Sequence, residues 1–243
     1  NIYLKTMSDD ANEVYDTAGK EIVQKRTVSR YEDLNSFYTH PKHNAAHVYC
    51  GNIMAAQNSQ TLKDHNVKLI VNCQGPSATN YFENDTEMNI KYIRHPIAMW
   101  RMELTGAGPK QIREYFDKTF SQIDQALENG DSVLIHCLAG AHRAGTMTGA
   151  YLMYKQGLQC HNLQNYMVKI RPIVDLLPGL YEALVVYQSA LDFFKEQDAK
   201  SQKTLANHAE KHHQKKEKKS HADDSDADKS DKKNTKSKEE PVK

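Results

Sequence analysis

The chain has 243 residues, 39% of them hydrophobic, and a formal net charge of +1. That length holds one domain with a real core and some tail besides, and the low apolar fraction leaves part of the chain unpacked. The near-neutral charge excludes a global pull toward nucleic acid or membranes, and no apolar run reaches the roughly 18 residues that a spanning helix needs. No signal-peptide core opens the chain, and a first residue of Asn1 fits a fragment or a processed product.

Residues 1–30 are mixed and polar, an extension with no readable period. His47 to Cys50 and Val67 to Asn72 predict short strands, with a helix over 59–65 between them. Asn89 to Arg94 predicts a third strand and Ser132 to His136 a buried fourth. The strongest helix signal follows Gly108-Pro109, with proline at a natural first-turn position. Its apolar residues Ile112, Phe116, Phe120, Ile123 and Leu127 recur every three or four positions, and Asn129-Gly130 closes it. Helical patterns fill 145–156, 161–170 and 179–194. From Lys195 to Lys243 there are 14 Lys, 11 Asp or Glu and four His, with only Leu205 and Val242 as sizeable aliphatics. Such a segment cannot offset its ordering entropy by burial, so it reads as a mostly disordered tail. The sequence thus predicts an α/β domain over 31–194, a buried central sheet flanked by helices, between the two polar ends. Cys50, Cys73, Cys137 and Cys160 fit no zinc spacing and are too few for a disulfide scaffold, which favours a reducing compartment.

The informative stretch is 133-VLIHCLAGAHRAGTMTGAYLM-153. A buried strand ends at His136, a loop runs from Cys137 to Arg143, and a helix starts near Ala144. Strand, tight loop and helix N-terminus in that order build an anion site from inward backbone N–H groups and the helix dipole. Gly140 permits the unusual backbone angles of such a loop, and Gly145 allows close packing behind it. A thiol in this field is activated, as cysteines at helix N-termini titrate at about 3.5–7.5. Arg143 can fold back across the loop and grip two phosphate oxygens. Cys137 can then attack phosphorus in line, giving a phosphocysteine that water cleaves.

At these residues the chain resembles the dual-specificity branch of the Cys-dependent protein tyrosine phosphatases, whose signature loop is matched by His136-Cys137-x-x-Gly140-x-x-Arg143. The resemblance covers residues 31–194. Tyr49-Cys50-Gly51-Asn52 with the following LKDHNVKLIVN, Ala150 to Met153, and Arg171-Pro172-Ile173 match further elements of that family. It implies a compact domain with a shallow pocket for phospho-Tyr and phospho-Ser/Thr. Leu138, Ala139, Gly140, Ala141, His142 and Arg143 would bind the phosphate. His136 would orient the loop and support ionisation of Cys137.

Two positions depart from the family pattern. Ala144 stands where a Ser or Thr hydroxyl usually stabilises the departing thiolate; the regenerating-liver branch and some glucan phosphatases share this Arg-Ala pair, and the resemblance implies slow turnover. Thr146 lies two residues on. The general acid is usually an Asp about thirty residues before the cysteine, but the loop 95-HPIAMWRMELTGAG-108 holds only Glu103 as a carboxylate. Glu103 is the candidate acid, with a solvated loop charge as the other reading. Losing general acid catalysis costs about 10²–10⁴ in rate.

Cys73 closes the second strand. It either packs as a small hydrophobe or, as in the lipid phosphatase and regenerating-liver branches, pairs with the nucleophile under oxidation. Cys50 and Cys160 read as structural. His142 either adds positive charge beside the substrate or is simply exposed. Trp100 anchors the 95–108 loop or shapes the pocket rim. Lys215-Lys216-Glu217-Lys218-Lys219 is a solvated charge run or a docking and nuclear-import patch. The expectation is a phosphoprotein phosphatase of cytoplasm or nucleus that uses no metal and no cofactor. The alternative is a phospho-binding pseudophosphatase that shields a partner. A glucan or lipid phosphatase is disfavoured by the lack of a carbohydrate module and of a basic loop.

Overall fold

The computed structural model describes the backbone of residues 2–25 and 31–227, and side chains of 11–25 and 31–208. The chain divides into two units, Asn1–Phe193 and Phe194–Lys243. Within the first, helix α1 (Ile2–Lys25) precedes strands β1 (Leu34–Thr39) and β2 (His47–Gly51). Short helices α2 (Ile53–Gln57) and α3 (Ser59–Asp64) lead to β3 (Val67–Asn72) and β4 (Lys91–Arg94). A 3₁₀ turn (Ile97–Met99) and α4 (Trp100–Leu104) connect to α5 (Pro109–Glu128), then β5 (Ser132–His136), α6 (Arg143–Gln156), α7 (Cys160–Met167) and α8 (Pro178–Ala227).

The sheet order is β1-β2-β5-β3-β4, with β1 antiparallel to β2 and the other pairs parallel. Strand β5 is central, and all five of its residues are buried, with the apolar run Val133 to Ile135 between Ser132 and His136, because a parallel strand in mid-sheet is covered on both faces. Val133 and Ile135 point into the larger core, formed with Phe116, Phe120, Met147, Tyr151, Leu163, Leu180 and Tyr187 of α5–α8. Leu134 points to the other face, among Leu34, Tyr49, Ala55, Leu62 and Ile70. The expected stripe on α5 buries Phe116, Phe120, Ile123 and Leu127. Gly130 takes φ +84° where the helix closes, and Gln111 accepts from the Gly108 N–H at 2.7 Å where it begins.

Two elements of the fold escape the hydrophobic pattern. Strand β1 carries a bulge between Ser36 and Tyr38, and its two buried side chains join different clusters, Phe37 with Val133 and Ile135 and Leu34 with Leu134. Helix α1 has only a thin, half-buried apolar stripe among its described side chains, Ala11, Tyr15, Ala18 and Ile22, and its fully buried described residues are Asn12 and Gly19.

In the second unit the segment that composition assigns to disorder continues α8 through Ala227, with Lys195 to His208 exposed throughout. Lys, Glu, Gln, Ala and Leu are strong helix formers, so a helix is written there without a core to bury. The side chains of Lys215 to Lys219 and residues 228–243 lie outside the described residues. No helix among the described residues is long and apolar enough to cross a membrane.

Candidate active site

The carboxyl ends of β2, β5 and β3 meet where β5 gives way to the Cys137 loop, the position where parallel sheets hold ligands. What shapes this loop is the fate of its carbonyls. The Leu138 carbonyl accepts from the Ile53 N–H at 3.1 Å, and the Ala141 carbonyl from Asp175 N–H at 3.3 Å. Arg171 donates Nε to the Gly140 carbonyl at 2.8 Å and Nη2 to that of Ala139 at 3.3 Å. The His142 carbonyl accepts from both the N–H and the hydroxyl of Thr146, at 2.8 and 2.9 Å. Five successive carbonyls are therefore satisfied by the surrounding protein, which leaves the loop N–H groups as the donors for a bound anion. Gly140 makes the turn at φ +69°, and a Cβ there would lie 2.5 Å from the Gly51 backbone.

Arg171, wholly buried, also donates Nη1 to the Glu32 carbonyl at 2.8 Å and to Asn35 Oδ1 at 2.6 Å. Arg143 opens α6 at the end of the loop, with its side chain only 1% exposed. Its Nε, buried, donates to nothing among the described residues. Burial pushes His136 down to about 4, opposed by the nearby Cys137 backbone and reinforced by Arg143. His136 is thus neutral at physiological pH, and both of its buried ring nitrogens are without a hydrogen-bond partner among the described residues. His142 is buried too, and desolvation lowers it despite Asp175 nearby. It is neither the exposed side chain nor the extra cation that its loop position suggests.

A profile of the dual specificity phosphatase catalytic domain matches residues 48–190. The chain belongs to that family. The Drosophila melanogaster dual specificity protein phosphatase Mpk3 is 30% identical over 146 residues, 59% of this chain and 33% of that protein. Human dual specificity protein phosphatase 6 is 34% identical over 116 residues, 47% of this chain and 28% of that protein. The chain thus spans a third or less of the length of these relatives. A leucine rich repeat and phosphatase domain containing protein from Entamoeba histolytica shares the fold, with a TM-score of 0.50 at 17% identity over 67% of this chain and 94% of that one.

Around this dual specificity phosphatase loop the remaining candidates divide. Cys73 is brought to it: its N–H donates to the His136 carbonyl at 2.9 Å, one step past the Asn72–His136 pairing of β3 with β5. Neighbouring strands run about 4.8 Å apart, inside the Cα window of a disulfide. Burial holds the Cys73 thiol well above its usual range, and the nearby Cys137 and Cys50 add to that. Cys50 is pushed up to about 11 by burial, and its Sγ lies 3.7 Å from the Gly140 carbonyl. It braces the loop.

Glu103 sits apart. It lies on the exposed face of α4, in a cleft with Ile93, His95, Tyr115, Lys118 and Thr119, none of them in the loop. Partial desolvation raises its carboxyl above the ordinary range. Trp100 is the anchor of this segment: it is buried, and its Nε1 donates to the Gly179 carbonyl at 3.0 Å. Ala144 is fully buried in the first turn of α6. The Thr146 hydroxyl, committed to the His142 carbonyl, does not replace the missing one.

Sequence reading passed over two contributors. Arg171 entered only through its Arg-Pro match, because its loop contacts lie 31 residues away in sequence. Helix α1 left no signal, yet Asn12 Oδ1 accepts from Arg143 Nη1 at 3.0 Å and the Asp16 carboxylate pairs with Arg143 Nη2.

Proposed function

We propose that this domain hydrolyses phospho-Tyr and phospho-Ser/Thr esters of proteins through a phosphocysteine on Cys137. The reading is carried by the outward bonding of the carbonyls of residues 138–142, which turns the loop into a ring of inward donors beside Arg143. The ring and the guanidinium hold the phosphate and stabilise charge on its equatorial oxygens in the transition state. The Cys137 sulfur attacks phosphorus, the bond to the ester oxygen breaks, and that oxygen takes a proton. Water then cleaves the thiophosphate, releasing phosphate and restoring Cys137. Glu103, whose raised carboxyl keeps its proton to higher pH, is the proposed proton donor, and it needs a movement of α4 to reach the leaving oxygen.

The reach of Asp16 supports a shallow site. Its carboxylate, one carbon from the backbone Cα carbon, meets Arg143, so a phosphate on a short Ser or Thr side chain can meet it as well. The inferred partners are phosphorylated proteins of the cytoplasm or nucleus, with the charged tail as a docking segment. Incubation with p-nitrophenyl phosphate should give hydrolysis that persists with a metal chelator and that, in a separate assay without chelator, vanadate inhibits. Acid-quenched protein should carry phosphate on Cys137, and Cys137→Ser should bind vanadate without turnover. Hydrolysis that survives in Cys137→Ser, or that a chelator abolishes, contradicts the mechanism.

A second reading is favoured by Ala144 and by the distance in the fold between Glu103 and the loop. The domain would then bind phosphorylated partners and shield them with little turnover. Measured phosphate release from a trapped phosphoprotein separates the two.

A further inference from the structure

Helix α1 presents one stripe to the catalytic loop: Asn12, Tyr15, Asp16 and Gly19, three or four residues apart and so on one face. Each member has a place. Asn12 and Asp16 accept from the two terminal nitrogens of Arg143. Asn12 also lies against Gly75, where an added Cβ would be 3.3 Å from its amide. The Tyr15 hydroxyl lies against Gly179, and desolvation raises it while Arg101 and Arg143 pull the other way. At Gly19 the helix comes so close to the loop that an added Cβ would stand 3.4 Å from Leu138 and 3.7 Å from Ala139. A phosphate gripped by Arg143 needs the same guanidinium nitrogens that Asn12 and Asp16 occupy.

We propose that α1 is a pseudosubstrate, a segment of the chain that competes with phosphorylated substrate for Arg143. The inference rests on the reading of Arg143 as the phosphate holder. The anion of Asp16 stands in for the phosphate, and the small Gly19 lets the helix lie flat on Leu138 and Ala139. The same stripe makes the block reversible. Among the described residues its one apolar contact with the core is the half-buried Tyr15, and Val14 beside it is 65% exposed, so only a thin apolar contact adds to the polar ones. Its hold comes from a charge-assisted pair, and from the high effective concentration of a tethered competitor. Phosphorylated substrate of sufficient affinity, or a partner that takes α1, opens the site.

The test uses the full chain and two variants that displace the helix by different means. Asp16→Ala removes the anion. Gly19→Gln keeps it, favours helix formation and puts bulk against Leu138. With p-nitrophenyl phosphate, both variants should lower KM on the order of tenfold with little change in kcat, the factor that one charge-assisted contact contributes. The vanadate inhibition constant should fall by the same factor. A matched thermal midpoint shows that neither variant acts through unfolding. Unchanged KM and vanadate constants in both variants overturn the proposal, as does a fall in kcat in Asp16→Ala, which would make Asp16 a participant instead of a block. If wild type and variants alike neither turn over nor bind vanadate, the reading of Arg143 itself fails, and the proposal with it.

Discussion

Replacing Arg171 by Lys keeps a positive charge and removes the fork that shapes the loop. The guanidinium reaches in two directions at once, to the carbonyls of Ala139 and Gly140 on one side and to Glu32 and Asn35 on the other. A single ammonium at the end of a straight chain serves one side only. At least two of the four bonds are lost, each leaving a buried carbonyl or amide oxygen short of a donor. At about 1.5 kcal/mol apiece for bonds to a charged donor, the loss is about 3 kcal/mol. For a domain of this size that lowers the thermal midpoint by about 6–12 °C. A second effect is specific to the site. A Gly140 carbonyl freed from Arg171 can turn inward, and a peptide that turns presents oxygen where the phosphate needs N–H. Vanadate affinity should therefore fall about tenfold or more at a temperature where the variant is still folded, as measured by titration beside a thermal melt. A variant with wild-type vanadate affinity and a midpoint within 2 °C of wild type, roughly 1 kcal/mol or less, would refute the assignment of Arg171 as the support of the loop.

Other perturbations read out separate parts of the site. Ala144→Ser should raise turnover where phosphocysteine breakdown limits the rate, since it returns a hydroxyl beside the departing sulfur; burst kinetics check this, and an unchanged steady rate after a burst counts against it. Glu103→Gln should flatten the basic limb of the pH–rate profile for an alkyl phosphate, because that limb is lost as pH rises through the raised Glu103 pKa, while p-nitrophenyl phosphate is spared. Equal small effects on both substrates would make Glu103 a surface charge. Mild peroxide should join Cys73 to Cys137, with activity regained in dithiothreitol, and Cys73→Ser should lose that recovery. Identical inactivation and recovery in both proteins would leave Cys73 a packed core residue. Burial holds His95 and His136 at about 4, against about 6.5 in the unfolded chain. The unfolded chain binds more protons across that interval, so stability is complete above about pH 6.5 and is lost toward pH 4, by about 1.4 kcal/mol per pH unit for each histidine. His95→Gln should make that acid limb shallower in denaturant titrations, and an unchanged slope would mean that His95 does not titrate on unfolding.

The β5–loop–α6 unit was legible because its physics is local. A strand buried on both faces reads as an unbroken apolar run, and the loop needs a glycine where φ is positive, which Gly140 supplies at +69°. The stripe on α5 was legible for the same reason, since Phe116, Phe120, Ile123 and Leu127 recur at helical spacing. Strand β1 was not, because the bulge at Ser36–Tyr38 breaks the alternation that identifies strands. Nor was α1, whose inward face is made of Asn, Tyr, Asp and Gly; its partner is a guanidinium 127 residues away from Asp16, and no apolar period records such a contact. His142 misleads in the opposite sense. A histidine in a catalytic loop suggests a cation, but desolvation beside Arg143 keeps it neutral.

On the proposed reading, the site separates holding a phosphate from turning it over, because different elements would carry the two tasks. The carbonyls of residues 138–142 are tied outward, Gly140 makes the turn, and Arg143 follows the loop with Nε still to be satisfied. Every group that would hasten release is displaced or missing. Position 144 has no hydroxyl, that of Thr146 is spent on the helix, and the one carboxylate of the 95–108 segment faces a different cleft. Tight binding with slow release, as that reading has it, is the combination in which a competing segment would matter most. A site that empties slowly stays occupied by whatever binds it, and a tethered carboxylate on Arg143 keeps it closed to weak ligands. If α1 is the pseudosubstrate proposed above, substrate is selected by how well it displaces Asn12 and Asp16, which favours a phosphate carried on a protein surface that also competes with α1 for Leu138 and Ala139.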